Sequence, residues 1–440
     1  MREATSNAAG ARPTERLPLT HLARLSAYWL GLTAIDAAVG LFVQNRIQFG
    51  GLVDPLEVGR ALFLVTVGGA IVSIIVQPTI GYVSDYTVSR WGRRKPFIVI
   101  GSLLDVVFLL GIASSNTLVA LAAFIILLSF STNIARGPFQ GYVPDLVPAP
   151  QVGMASALVG LMQILGNVTG FVLGSVAAIV GNLPLALLAV AIVELVAMVS
   201  VVWRVGKGQP PKPREGKSWP RIARETWATD ILRERSYVFL VASRLFFLTG
   251  GGILVNVIIA YLNQVHGLGQ EAANQANLVL LGIVVVANCV AIIPASRLSD
   301  RIGRKPVIYA SCAIGGAGVG IAALAPSVPV ALFGGALFGA SAGMFLAVDW
   351  ALMTDIIPKA SAGRYMGLSN VATGASTPIA IALGGLIIDA VNTAAGGVGP
   401  GPRVAYLVGA GLYVVAAILL RPVVEPERSP ESREAIFTPA

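Results

Sequence analysis

The chain has 440 residues, 55% of them hydrophobic and only 12% charged, with a mean hydropathy of +0.77. Soluble domains carry about a quarter charged residues, so this composition excludes a soluble globular fold and predicts an integral protein of the lipid bilayer. The net charge of +9 is asymmetrically placed about the apolar segments, which explains it as membrane topology and leaves no reason to infer nucleic-acid binding.

Two Cys and two well-separated His offer neither a disulfide framework nor a metal site. With no Walker A sequence, catalytic nucleophile cluster or cofactor loop, ATP-driven transport and enzyme chemistry are not expected, and no cofactor or metal is implied. Residues 1–23 are polar and Pro-interrupted. They read as a cytoplasmic tail before a first span that acts as an uncleaved insertion signal. Segments of about 20 apolar residues fit at roughly 24–45, 60–83, 97–115, 117–142, 152–180, 184–203, 237–263, 276–296, 307–325, 328–353, 365–391 and 403–421. The predicted fold is therefore all-α, with twelve membrane helices.

The first half, 24–203, and the second, 237–422, are separated by a basic, Pro-rich cytoplasmic linker at 204–236, and a second tail covers 423–440. Residues 221–235 of the linker can form a surface helix anchored by Trp227. With the amino terminus inside, Arg2, Arg12, Arg16, Arg24, two basic loops, Lys359, Arg364 and the basic linker all fall in the cytoplasm. The opposite loops keep Arg46, Arg60 and Arg403. That asymmetry puts both termini in the cytoplasm of a cell-membrane protein.

The halves repeat each other. After the second span, Ser84-Asp85 is followed by Gly92-Arg93-Arg94-Lys95-Pro96. After the eighth, Ser299-Asp300 is followed by Gly303-Arg304-Lys305-Pro306. Roughly 210 residues also separate Gly141–Pro148, which contains Asp145, from Ala351–Pro358, which contains Asp355. Within the spans, Gly166, Gly170 and Gly174, and later Gly335, Gly339 and Gly343, recur every four residues and predict close helix packing.

A charge at bilayer depth costs at least about 2.5–3.5 kcal/mol, so each one needs water or a partner. Asp36, Asp105, Arg136, Glu194, Arg244, Asp349 and Asp389 are such charges. Structural ion pairing remains open for Asp105 and Glu194, and so does a helix-end position for Arg244 and Asp389. Trp29, Thr33, Asp36 and Gly40 share a face of the first span. Ser129, Asn133, Arg136 and Gln140 form a polar stripe on the fourth, and Asn370, Thr373 and Thr377 one on the eleventh; Trp350 adjoins Asp349. Helical rise puts Asp36 about 18 Å and Arg136 about 10 Å from the inner end, a gap that the Arg arm can largely span, so a coupled pair is expected.

Two sets of six spans, with Gly81-x-x-x-Asp85 and Gly92-Arg-Arg-Lys after span two answered by Ser296-x-x-x-Asp300 and Gly303-Arg-Lys after span eight, resemble the major facilitator superfamily of secondary transporters. The longer first loop, from Asp85 to Gly92, is similar to the glycoside-pentoside-hexuronide cation symporters. Gln77–Gly101, Asn133, Gly137-Pro138 and Asp145-Leu146 are most similar to the sucrose-transporter branch. The resemblance implies two six-helix bundles related by a pseudo-two-fold axis, with spans 1, 4, 7 and 10 lining a central cavity and the bundles rocking in alternating access. Asp36, Asn133, Arg136, Gln140, Arg244, Asp349, Trp350, Asn370 and Thr373 become candidates for substrate binding or proton coupling. Asp85, Arg93, Arg94, Asp300, Arg304, Asp355 and Arg364 become a cytoplasmic gate. Ser73 and Gln77 stand where sodium-coupled members have carboxylates, so protons are the expected ion, with Asp36 titrating as Arg136 moves away. The expectation is a monomeric symporter of a small polar solute, a sugar or glycoside. An exporter working as an antiporter, or a non-transporting assembly factor or receptor, is the alternative.

Overall fold

The computed structural model describes residues 16–148, 151–206, 234–356 and 362–425. The described residues form helices and connecting turns, with no strand. In the first half these are α1 (Leu19–Ser26), α2 (Tyr28–Phe49), α3 (Val58–Ser84), α4 (Lys95–Ser114), α5 (Leu118–Gln140), α6 (Tyr142–Leu146), α7 (Val152–Ile179) and α8 (Leu183–Arg204). The second half gives α9 (Arg235–Asn256), α10 (Ile258–His266), α11 (Gln270–Ile302), α12 (Arg304–Leu324), α13 (Val328–Ile356), α14 (Ala362–Ala395) and α15 (Pro400–Leu420). Twelve spans among them are long and apolar enough to cross a bilayer, α1 and α2 counting together. The chain is thus a multi-pass membrane protein of all-α fold, as its composition predicts.

Several boundaries differ from the apolar count for identifiable reasons. Helix begins at Leu19, inside the predicted tail, because Leu22 and Leu25 are buried among Tyr28, Ile98, Phe139, Tyr142 and Val201. The seventh span is interrupted at Val257, whose φ of −118° and ψ of 15° leave the helical region, and α10 resumes beyond it. At 33 residues α11 is about 50 Å long and overshoots the hydrocarbon core. Hydropathy alone stops at its charged ends, but a helix need not. Residues 221–233 of the expected surface helix, including Trp227, lie outside the described residues.

Two compact units divide the chain. The first is built on α1–α8 with 255–281 and 378–404. Within it, α7 lies against α2 along the predicted glycines: a methyl on Gly166 would strike Leu30 and Thr33, and one on Gly170 would strike Ala34 and Ala37. Gly137 lets α5 approach the backbone of α3 at Gln77. Small residues thus bring backbones together where lipid supplies no hydrophobic drive for helix association.

The end of this unit remote from the loop after α3 is closed by polar contacts. Asn45 and Asn274 exchange amide hydrogen bonds of 3.1 and 2.6 Å, and Gln48 donates to Asn263 at 2.9 Å. Asp389 accepts from the backbone N–H of Gly59 at 2.7 Å and from that of Arg60. Its charge therefore sits on the positive end of α3, where helix-dipole physics favours an anion. Gly59 and Gly385 make the backbone approach needed for this contact.

The second unit comprises 229–254, 282–377 and 405–440. Gly339 and Gly343 of α13 face the backbone of α11 at Val284 and Asn288, and Gly318 and Gly334 bring α12 and α13 together. Tyr413 of α15 is fully buried against Gly250, Gly315 and Phe247.

Candidate functional site

Along α2 nearly every mid-helix residue is buried, but the Asp36 side chain remains 49% exposed. A methyl on Gly40, one turn further, would meet nothing within 4 Å, so this strip faces open space. Arg136 of α5 reaches it and donates Nη2 to Asp36 Oδ2 at 2.5 Å. The structure therefore brings together the two residues that helical rise alone suggested could meet. Thr33, on the same strip, donates to the backbone carbonyls of Trp29 and Gln163, and Trp29 packs on Phe139.

The rest of the α5 stripe is divided between site and scaffold. Asn133 is buried and donates to Ser73 of α3 at 2.8 Å and to the Ser129 carbonyl at 2.7 Å, tying α3 to α5 beside Arg136. Gln140 is half-buried at the helix end. A site made this way has one ion pair, its acid half exposed and its base more deeply buried. It can hydrogen-bond a polar solute or exchange the Asp36 contact for a proton.

The second unit repeats the device with the signs reversed. Arg244 of α9 and Asp349 of α13 meet at 2.7 Å, with side chains 6% and 2% exposed. One turn away on the same two helices, the rings of Phe247 and Phe345 stack with centroids 3.8 Å apart. This pair is sealed in packed interior, whereas Asp36 is open. Thr373 of α14 donates its hydroxyl to the Ser369 carbonyl of its own helix. The side chains of Trp350 and Asn370, and of the gate candidates Asp355 and Arg364, lie outside the described residues.

The loop between α3 and α4 folds around a carboxylate that is not among the predicted gate residues. Asp145 of α6 accepts from Arg93 through both oxygens at 2.7 Å, and from Arg94 Nε at 2.7 Å. Asp85 lies 3.1 Å from Arg94 and 3.6 Å from Arg93. Gly92 turns the chain with φ 97°, and Gly303 does the same in the second half with φ 101°, a region that favours glycine. There Arg304 lies 3.0 Å from Asp300. Lys95 caps the end of α8 through the carbonyls of Val202 and Val205. Lys305 caps the end of α15 through those of Arg421 and Val423. Glu425 in turn accepts from the backbone N–H groups of Arg304 and Lys305 at the start of α12. The signal for Asp145 is present in the repeat that pairs it with Asp355, whereas no spacing argument points to Glu425.

A family model described as Major Facilitator Superfamily matches residues 26–287 and 272–438. Among curated proteins, sucrose transport protein SUC3 of Arabidopsis thaliana is 32% identical over 129 residues, covering 24% of this chain and 22% of that protein. Inner membrane transport protein YajR of Escherichia coli (strain K12) is 35% identical over 123 residues, covering 28% and 27%. The chain thus spans about a quarter of the length of the curated relatives it matches. Among solved structures, a bacterial homolog of the human lysosomal transporter Spinster, in an inward-facing and occupied conformation, superposes with a TM-score of 0.70 at 13% identity, covering 91% of this chain and 95% of that one. Nucleoside transporter NupG gives 0.64 at 15% identity, with 93% and 100% covered. These likenesses show the fold.

Proposed function

The chain belongs to the Major Facilitator Superfamily, and from that premise we propose that it is a proton-coupled secondary transporter of a small polar solute, a sugar or glycoside, working by alternating access. The observation that carries this reading is the Asp36–Arg136 pair. A half-exposed carboxylate in the middle of an apolar helix is not stable against lipid, so the open space it faces is a water-filled path. A solute hydroxyl or a proton can each compete with Arg136 for that carboxylate, which joins binding to coupling. The partial likeness to sucrose transport proteins favours a sugar among polar solutes.

The polar contacts of Asp389, Asn45 and Gln48 with their partners are the outer gate in its shut state. The Asp85, Arg93, Arg94 and Asp145 network braces the cytoplasmic rim of the first bundle, and Asp300 with Arg304 that of the second. The protein works as a monomer in the cell membrane, with both termini in the cytoplasm. Cysteine labelling tests this placement at two exposed positions, Val88 (82%) and Val398 (48%). In intact cells an impermeant maleimide should label Val398→Cys and reach Val88→Cys only after permeabilisation. The reverse pattern would invert the topology, and with it the assignment of the outer gate and of the cytoplasmic rim.

A further inference from the structure

Behind the Asp36–Arg136 pair, inside the first bundle, lie two carboxyl groups that the ion pair does not use. Asp105 of α4 and Glu194 of α8 are both 0% exposed. Each helix is drawn in by a glycine. A methyl on Gly31 of α2 would land on the Glu194 backbone, and one on Gly101 of α4 would strike Ser131 and Ala135 of α5. One oxygen of each acid is satisfied by neutral donors. Asp105 Oδ1 accepts from the hydroxyls of Ser131 and, at 2.9 Å, Thr132. Glu194 Oε1 accepts from Tyr28 at 3.0 Å, and the Tyr28 hydroxyl is itself 2.6 Å from Ser102. The other two oxygens, Asp105 Oδ2 and Glu194 Oε2, are buried with no donor from the protein. The Tyr28 hydroxyl thus links Glu194 to Ser102, which stands one turn before Asp105 on α4, so both acids lie at the same seam between α4 and α8.

Two fully buried neighbouring carboxylates with no cationic hydrogen-bond donor cannot both stay ionised away from water. A single bound proton relieves the site: it neutralises one acid, supplies a donor where both acids have an unpaired oxygen, and leaves one negative charge. Of the elements packed here, α2 contributes Tyr28, α5 contributes Arg136, one turn beyond the Thr132 that donates to Asp105, and α7 has no titratable residue. We propose that Asp105 and Glu194 form a one-proton binding site in the interior of the first bundle, and that its proton affinity is set by whether Asp36 engages Arg136. The second half of this statement rests on the transport reading; the first does not. Arg136 and the Ser131 and Thr132 hydroxyls project from neighbouring turns of α5, so charge lost at Asp36 is felt at the buried pair as uncompensated positive charge. That favours release of the shared proton.

The test is infrared spectroscopy of the full chain in lipid nanodiscs, following the protonated-carboxyl C=O band against pH. The parent should show a band at neutral pH that Asp105→Asn/Glu194→Gln lacks. Glu194→Gln alone is the folding control, because its amide can donate a hydrogen bond as the protonated acid would, and it should melt like the parent. Asp36→Asn should bind the shared proton about tenfold more weakly, moving the band's midpoint down by about one pH unit. A parent without the band, or a double variant that keeps it, overturns the site. An unmoved midpoint in Asp36→Asn overturns the link to the ion pair. Failure of the transport reading would appear separately, as absence of solute accumulation by the parent with the band intact.

Discussion

Reconstituted in proteoliposomes, Asp36→Asn will exchange labelled solute between equal pools at a rate near that of the parent, yet will not accumulate it against a gradient. Exchange needs binding and rocking of the bundles, both of which a neutral isostere at position 36 permits. Accumulation also needs the cavity charge to change with proton binding, and the amide has no charge to change. Asp36 is the exposed member of the pair, reached by Arg136 from a helix tied to α3 by Asn133 and Ser73. Arg136→Ala is expected to differ in kind: it takes away the base that orients the acid and should weaken exchange and accumulation together. If Asp36→Asn accumulates solute as well as the parent, Asp36 has no part in coupling.

The second large effect is expected at Asp145, and it concerns stability. Its carboxylate satisfies Arg93 and Arg94, whose side chains are only 3% and 6% exposed. Removing one partner of a buried pair leaves an uncompensated charge and costs about 3–5 kcal/mol, and here two guanidinium groups lose their nearest acid. Asp85, 15% exposed and at longer range, can compensate only in part. Thermal unfolding in detergent should therefore rank Asp145→Ala well below Asp85→Asn, which in turn should lie slightly below the parent. Equal melting of the two variants would mean that the loop is not organised around Asp145.

Much of this organisation is legible in the sequence because the bilayer imposes it. Twelve spans follow from apolar run length, and glycines every four residues on α7 lie against α2 as their spacing predicts. The meeting of Asp36 and Arg136 follows from helical rise and the length of an arginine. What spacing cannot supply is the partner from another helix. Asp389 is within a span by hydropathy, and only the fold shows it seated on the first N–H groups of α3. Asp105 and Glu194 are 89 positions apart, and nothing in either local pattern says that Tyr28 and Ser102 bring their helices together. Asp145 is half legible: the repeat marks its position, but its role requires the loop to fold back over it. The side chains of Arg244 and Asp349 show the opposite case. Both stand on helices that the resemblance assigns to the cavity, and the packing of Phe247 on Phe345 is part of why this pair is sealed while Asp36 is open.

Uptake into proteoliposomes bearing the parent protein, with the lumen made alkaline and a panel of sugars, glycosides and organic acids offered outside, tests the transporter reading most directly. A sugar or glycoside should accumulate above its external concentration while the pH gradient lasts, and should run back when a protonophore collapses it. Equal uptake of every solute with and without the gradient, at the level of protein-free vesicles, would contradict proton-coupled transport.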